Sequence, residues 1–215
     1  MTGSIKELPV LYLISDRLQS KNRPLAEVIE ASLKGGVRMV QLREKDLPVR
    51  DLLRLALEIK GLTVAYGAKL LVNDRIDVAL AVEAEGVHLP ASSFSVEDAR
   101  SVLGDDKIIG FSAHSIDEAK EAKSAGADFV TFSPVYYTPS KAAYGEPQGL
   151  DRLKEVRDAI NIPVYGLGGI NVDNIKEVIR AGAHGVALIS AIIGAKDIQG
   201  ESERLVDLAS SKRLN

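Results

Sequence analysis

The chain has 215 residues, 46 % hydrophobic and 27 % charged, with a formal net charge of −3. Such a composition belongs to a folded globular chain, and scattered cations on a slightly acidic protein supply no field for a nucleic-acid polyanion. No cysteine is present, which removes disulfides, thiolate nucleophiles, Cys-ligated zinc and iron–sulfur clusters, so the chemistry must use oxygen, imidazole or amine groups.

Residues 1–9 lack the basic segment and apolar stretch of a signal peptide. No apolar run approaches the ~18 residues of a membrane span, so no membrane partner is expected and the cytoplasm is the expected location.

Short apolar, β-branched runs of strand length recur at 10–14, 39–42, 69–72, 86–89, 108–111, 129–132, 164–167 and 185–189. They show little polar alternation, as strands buried on both faces of a parallel sheet should. Between them, segments 24–34, 49–66, 95–103, 115–125, 149–159 and 172–181 place apolar residues three and four apart and read as helices.

An internal echo supports the alternation. Lys34-Gly35-Gly36-Val37, Ala84-Glu85-Gly86-Val87, Ala125-Gly126-Ala127-Asp128 and Ala181-Gly182-Ala183-His184 precede the second, fourth, sixth and eighth strands. Glycine at each join is expected to end a helix in a left-handed cap. Eight strands so spaced close into a barrel, and the expected fold class is α/β, a (β/α)8 TIM barrel over residues 1–215 as one domain. An open doubly wound sheet would carry a glycine-rich phosphate loop after its first strand, where Ile14-Ser15-Asp16-Arg17 stands instead.

In such a barrel the segments trailing the strands form the catalytic face. Gln41, Arg43 and Lys45 alternate out of the second strand and suit a phosphate-bearing ligand; the alternative is a solvated loop with an arginine pairing Glu44. Asn73 and Asp74 follow the third strand, and Asp74 is either a hard-oxygen magnesium ligand or the cap of a helix starting near Asp77.

Among the histidines, His184 falls on the stabilising face and His88 inside the fourth strand, where packed roles are expected. His114 follows the fifth strand and is the best-placed general acid or base, unless it merely neighbours the cap of a helix beginning at Ser115. The loop 133–149 holds Tyr136, Tyr137, Thr138, Ser140, Lys141 and Tyr144, whose hydroxyls and amine suit phosphate under a lid, or else a plainly flexible loop. Gly166-Leu167-Gly168-Gly169-Ile170 and Ile189-Ser190 follow the last two strands, where barrels frequently bind phosphate through backbone N–H groups.

Taken together, Tyr12-Leu13-Ile14-Ser15-Asp16, Val40-Gln41-Leu42-Arg43-Glu44-Lys45, Val72-Asn73-Asp74-Arg75, Ser112-Ala113-His114, Thr138-Pro139-Ser140-Lys141 and Gly166-Leu167-Gly168-Gly169-Ile170 resemble the thiamine phosphate synthase/TenI family over nearly the whole chain. The resemblance implies one of two activities. Synthases join a hydroxymethylpyrimidine diphosphate to a thiazole phosphate with Mg²⁺ and release pyrophosphate; TenI members catalyse a metal-free aromatising tautomerisation of a thiazole phosphate carboxylate.

The resemblance carries over residue roles by motif. Gln41, Arg43, Lys45 and Asn73 stand toward the pyrimidine diphosphate, with Asp74 on magnesium. Ser112, Thr138, Ser140 and Lys141 stand toward pyrophosphate or the thiazole's phosphate, and Gly168, Gly169, Ile189 and Ser190 around that phosphate.

One departure matters. Where synthases carry Gly-Gln-x-Asp after the fourth strand, this chain reads Leu89-Pro90-Ala91-Ser92-Ser93, so Ser93 stands at the second magnesium carboxylate's place. The preferred expectation is therefore a thiazole tautomerase without cofactor, with His114, Lys141 and Arg43 as the catalytic set. A magnesium-dependent synthase is the alternative, and a non-catalytic ligand-sensing regulator the third. A phosphorylated thiazole is the expected partner in each case, joined by the pyrimidine diphosphate in a synthase; a homo-oligomer is left open.

Overall fold

The computed structural model describes residues 7–138 and 146–211. Eight parallel strands, β1 (Leu11–Ile14), β2 (Met39–Leu42), β3 (Lys69–Asn73), β4 (Gly86–Leu89), β5 (Ile108–Ala113), β6 (Phe129–Phe132), β7 (Val164–Leu167) and β8 (Gly185–Leu188), form a closed barrel in sequence order. Leu13 pairs with Val40 on one side of β1 and Leu11 with Val186 on the other, which closes the ring. The (β/α)8 expectation is the observed fold.

Helices α1 (Leu25–Lys34), α2 (Val49–Ala65), α3 (Ile76–Ala81), α4 (Val96–Leu103), α5 (Ile116–Ser124), α6 (Gly149–Ala159) and α7 (Ile175–Arg180) follow the first seven strands, after a short 3₁₀ turn at Arg17–Gln19. The last strand is followed by the short α8 (Ser190–Ile193) and then α9 (Ile198–Ser210). Among the described residues no helix is long and apolar enough to cross a membrane.

Both faces of each strand are buried, and alternation sorts them. Leu11, Leu13, Val40, Leu42, Leu70 and Val72 pack outward against the helices, while Tyr12, Ile14, Met39, Leu71, Phe129 and Tyr165 fill the barrel. Inside, the Tyr12 ring meets Phe129 edge-on at 5.5 Å and Phe129 meets Tyr165 at 5.2 Å, arrangements that aromatic quadrupoles favour. The column ends at the amino-terminal mouth, where His184 packs 5.2 Å from Tyr165 and its Nε2 lies 2.9 Å from the Leu8 carbonyl. His184 is therefore part of the stabilising face, as its position before β8 indicates.

Three of the four glycine joins hold as left-handed turns, with φ of +90° at Gly36, +97° at Gly126 and +95° at Gly182. Gly86 is different: it belongs to β4, and the positive φ at that join, +53°, is carried by Glu83. Glycine is needed there for close approach, since a Cβ on Gly86 would lie 1.9 Å from the Ile108 carbonyl oxygen.

Candidate active site

The loops at the carboxyl ends of the strands enclose a cleft with two lobes. The smaller, about 260 Å³, is lined by Asp16, Gln41, Arg43, Lys45, Asn73, His88, Ser112 and His114 among others. The larger, about 660 Å³, is lined by Tyr137, Thr138, Gly168, Gly169, Asn171, Ile189, Ser190 and their neighbours. Gln19, Ser133, Leu167 and Ile189 line both, so the two lobes adjoin over the barrel mouth.

The polar floor of the small lobe follows from strand alternation. Gln41 is an inward position of β2, almost fully buried, and its Nε2 donates to the Tyr12 hydroxyl at 2.8 Å. Burial drives the Tyr12 phenol well above its usual range and keeps it neutral. Arg43 and Lys45 continue the same side beyond the strand. β3 reaches Asn73 and β5 reaches Ala113, so Asn73 and Ser112 are strand residues rather than loop residues, and both face the lobe.

Glu44 fixes the spacing of the two cations. Its buried carboxylate accepts the Ser15 hydroxyl at 2.6 Å and the Arg17 backbone N–H, and it pairs with the Arg17 guanidinium at 3.2 Å. Ser15 Oγ in turn accepts the Arg43 backbone N–H at 2.8 Å. The glutamate's ion pair is thus with Arg17 of the loop after β1, and Arg43 stays available to the cleft. Two of its atoms anchor the loop; its neighbours on either side carry the charge.

His114 combines both of its expected placements. Ser115 caps α5 by accepting the Glu118 N–H at 3.1 Å, and the Glu118 carboxylate accepts the His114 N–H. The ring nevertheless opens on the small lobe, with Nδ1 2.8 Å from the Ser133 carbonyl. Donation from Nδ1 to that carbonyl leaves Nε2 as the acceptor nitrogen, which no described residue meets.

Asp74 does not cap α3. The cap position is Arg75, without a side-chain bond, while Asp74 takes φ +66° and its Oδ1 accepts the Ser93 hydroxyl. Hard oxygen donors of this kind suit Mg²⁺ when substrate oxygens and water complete the shell, although among the described residues no three His, Cys, Asp or Glu side chains cluster as a metal site. Ser140, Lys141 and Tyr144 lie outside the described residues.

In the large lobe, Gly168 and Gly169 turn with φ of +100° and +65°. A Cβ at Gly169 would lie 2.6 Å from the Tyr137 carbonyl oxygen and one at Gly168 2.9 Å from Pro134, so only glycine lets the loops after β6 and β7 stack this closely. Asn174 secures the turn by donating to the Gly169 carbonyl at 2.9 Å. Asp16 and Gln19, after β1, were legible by the strand-end rule yet were not singled out from the sequence; Ser133 and Asn171 belong with them.

Residues 11–192 match the family model described as thiamine monophosphate synthase, TMP-TENI. The chain belongs to that family. A Geobacter sulfurreducens protein that carries the name thiamine-phosphate synthase provisionally is 54 % identical over 92 % of this chain and 93 % of its own length. The Clostridium novyi thiamine-phosphate synthase is 48 % identical over 92 % of this chain and 97 % of its own. Among solved structures, thiamine phosphate pyrophosphorylase from Pyrococcus furiosus superposes with a TM-score of 0.86 at 36 % identity, covering 94 % of this chain and 95 % of that one. The chain is thus an enzyme of the TMP-TENI family, and its relatives' names favour the synthase branch over the tautomerase placed first on sequence.

Proposed function

We propose that this enzyme is a transferase, a thiamine-phosphate synthase that couples hydroxymethylpyrimidine diphosphate to thiazole phosphate and releases pyrophosphate. The observation that carries the reading is the pair of adjoining lobes with separate anion-binding chemistry. Arg43 and Lys45 flank one; the Gly168-Gly169 turn and Ser190 line the other. A tautomerase acts on a single phosphorylated ring and does not need a second lobe for a diphosphate-bearing partner.

The reaction forms a bond from the thiazole nitrogen to the pyrimidine's methylene carbon. The carbon–oxygen bond to the diphosphate breaks, and its electron pair leaves on the diphosphate oxygen. Holding both partners in contiguous lobes converts an encounter in solution into a reaction within one complex. Arg43 and Lys45 stabilise the charge that grows on the departing diphosphate, the guanidinium through paired hydrogen bonds and the ammonium as a point charge.

Gln41 and Asn73, on inward positions of β2 and β3, orient the pyrimidine end. Backbone N–H groups of the Gly168-Gly169 turn and the Ser190 hydroxyl hold the thiazole's phosphate. The family resemblance adds Thr138, Ser140 and Lys141 to the phosphate contacts. Asp74, with Ser93 beside it, would hold Mg²⁺, which when bound supplies further neutralisation of the diphosphate.

The test is to offer the purified protein both substrates with and without Mg²⁺. Thiamine phosphate and pyrophosphate in equal amounts, dependent on the metal, are expected. The second reading, a tautomerase, is favoured by Ser93 in place of a carboxylate and by the open Nε2 of His114. Metal-independent aromatisation of the thiazole phosphate carboxylate without coupled product would select it instead.

A further inference from the structure

His88 is a buried titratable group on the floor of the small lobe to which the proposed chemistry gives no task. The residue is 2 % exposed, with Nε2 2.9 Å from Ser112 Oγ and 3.4 Å from Thr131 Oγ1. Nδ1 is fully enclosed and has no hydrogen-bond partner among the described residues. A buried imidazole nitrogen without a partner is rare enough to require an explanation.

What surrounds Nδ1 decides where the ring proton sits. A Cβ built on Gly110 would fall 2.6 Å from Nδ1 and 2.3 Å from Cζ of Phe129, so Nδ1 faces the bare Cα of Gly110, and the edge of the Phe129 ring is turned toward the same glycine. The Phe129 ring centroid is 5.6 Å from that of the imidazole. Aliphatic C–H groups and an aromatic edge carry slight positive charge. They complement a bare lone pair; an N–H pointed at them would be a buried donor facing other weak donors, the costlier arrangement.

The ring is also neutral. Burial, and then the charge of Arg43, hold its pKa down to about 3. A neutral imidazole has one N–H, and with Nδ1 bare it must be on Nε2. That N–H donates to Ser112 Oγ, the nearer of its two hydroxyl neighbours. A serine hydroxyl so engaged as acceptor keeps its own proton for another partner, and Ser112 lines the small lobe with no other side-chain partner among the described residues.

We infer that His88 is a positioning residue that donates from Nε2 to Ser112 Oγ and thereby sets the Ser112 hydroxyl as a hydrogen-bond donor to an oxyanion of the bound diphosphate. The inference rests on the proposed placement of the diphosphate in the small lobe. His88 touches no substrate; it removes the alternative in which Ser112 spends its proton on the ring.

Two measurements test it. Side-chain ¹⁵N spectroscopy of the histidines at neutral pH should show His88 protonated at Nε2 and bare at Nδ1; a proton on Nδ1 would overturn the inference. The second is a double-mutant cycle read as the affinity for inorganic pyrophosphate with Mg²⁺. Ser112→Ala should weaken binding by about tenfold through loss of a hydrogen bond to a charged group, His88→Leu by about fivefold because the Ser112 hydroxyl remains but is no longer oriented, and the double variant no further than Ser112→Ala alone.

His88→Gln, whose amide can reach Ser112, should stay within about threefold of the wild type, whereas the shorter His88→Asn should behave as leucine does. Should His88→Leu fail to fold, His88→Asn takes its place in the cycle. Losses that multiply in the double variant, a glutamine no better than asparagine, or a wild type that binds no pyrophosphate would each overturn the inference. A wild type that binds pyrophosphate but forms no coupled product would sink the synthase reading and leave the cycle to decide on His88.

Discussion

The Ser93 hydroxyl donates to Asp74 Oδ1 across the loops that follow β4 and β3. The contact joins the two positions at which the family resemblance places a pair of magnesium carboxylates, and here one is neutral. A hydroxyl that orients a metal-binding carboxylate influences metal affinity by about 10- to 100-fold in comparable sites. Ser93→Ala is expected to raise the Mg²⁺ concentration for half-maximal coupling by about tenfold within that range, and Ser93→Asp to lower it. Magnesium titrations of the initial rate check both; an unchanged requirement in the two variants would detach this pair from the metal.

His114 separates the two activities of the family. Coupling moves no proton between carbon atoms, so under the synthase reading His114→Ala should cost less than about tenfold in kcat, whereas a general acid or base contributes about 10²–10⁴-fold. Steady-state kinetics with both substrates make the comparison. A fall beyond 10²-fold would shift the chemistry toward proton transfer at Nε2.

Glu44 should matter to binding without touching a ligand. Its side chain is 2 % exposed, accepts Ser15 and two groups of Arg17, and sits between the cleft residues Arg43 and Lys45. Glu44→Gln replaces an acceptor oxygen with a donor against the Arg17 guanidinium. The expected cost is about 2–3 kcal/mol of stability together with a raised KM for the pyrimidine diphosphate. Urea unfolding and substrate titration measure the two; a KM unmoved despite the lost stability would mean that Arg43 and Lys45 hold their places without the anchor.

Gly169→Ala tests the large lobe. The residue has φ +65°, and an added Cβ would meet the Tyr137 carbonyl at 2.6 Å. Left-handed backbone costs a side-chain-bearing residue roughly 1–2 kcal/mol, and relieving the clash must move the loop after β6 away from the turn. The KM for thiazole phosphate should rise more than that for the pyrimidine diphosphate. Equal effects on both would place the two anions in one lobe.

The barrel was legible because each strand is an uninterrupted apolar run and the left-handed glycines at 36, 126 and 182 punctuate the helix-to-strand joins. Helix α9 was not, for a physical reason: its buried face includes Ser202, a polar residue that breaks the apolar periodicity yet satisfies itself by donating to the Ile198 carbonyl at 2.7 Å. A Cβ on Gly35, at the end of α1, would lie 2.6 Å from the Ser202 Cβ, so it is the glycine that lets α1 and α9 approach here. The cleft was legible as far as the strand-end rule reaches, which covers Arg43, Asn73, His114 and Gly168. Partnerships were not. The alternative that paired Glu44 with an arginine named no partner, which is Arg17 of the loop after β1, and the unpartnered Nδ1 of His88 arises from packing between β4, β5 and β6 that no local pattern records.

That buried imidazole also ties stability to pH. Its folded-state pKa, about 3, lies below the ordinary histidine value of roughly 6.5, so as pH falls the unfolded chain binds the proton first. The contribution is fully present above about pH 6.5 and is lost progressively down to about pH 3, with a slope approaching about 1.4 kcal/mol per pH unit. Asp46 and Asp77, held low chiefly by hydrogen bonds from Arg17 and Arg75, add their own losses only at the acid end, below roughly pH 4. Urea unfolding between about pH 5 and 6.5 therefore reads His88 before the carboxylates. The difference in unfolding free energy between wild type and His88→Gln should shrink steadily as the pH is lowered through that window. Two curves that run parallel would mean that His88 is protonated in the folded protein, against its apolar surroundings.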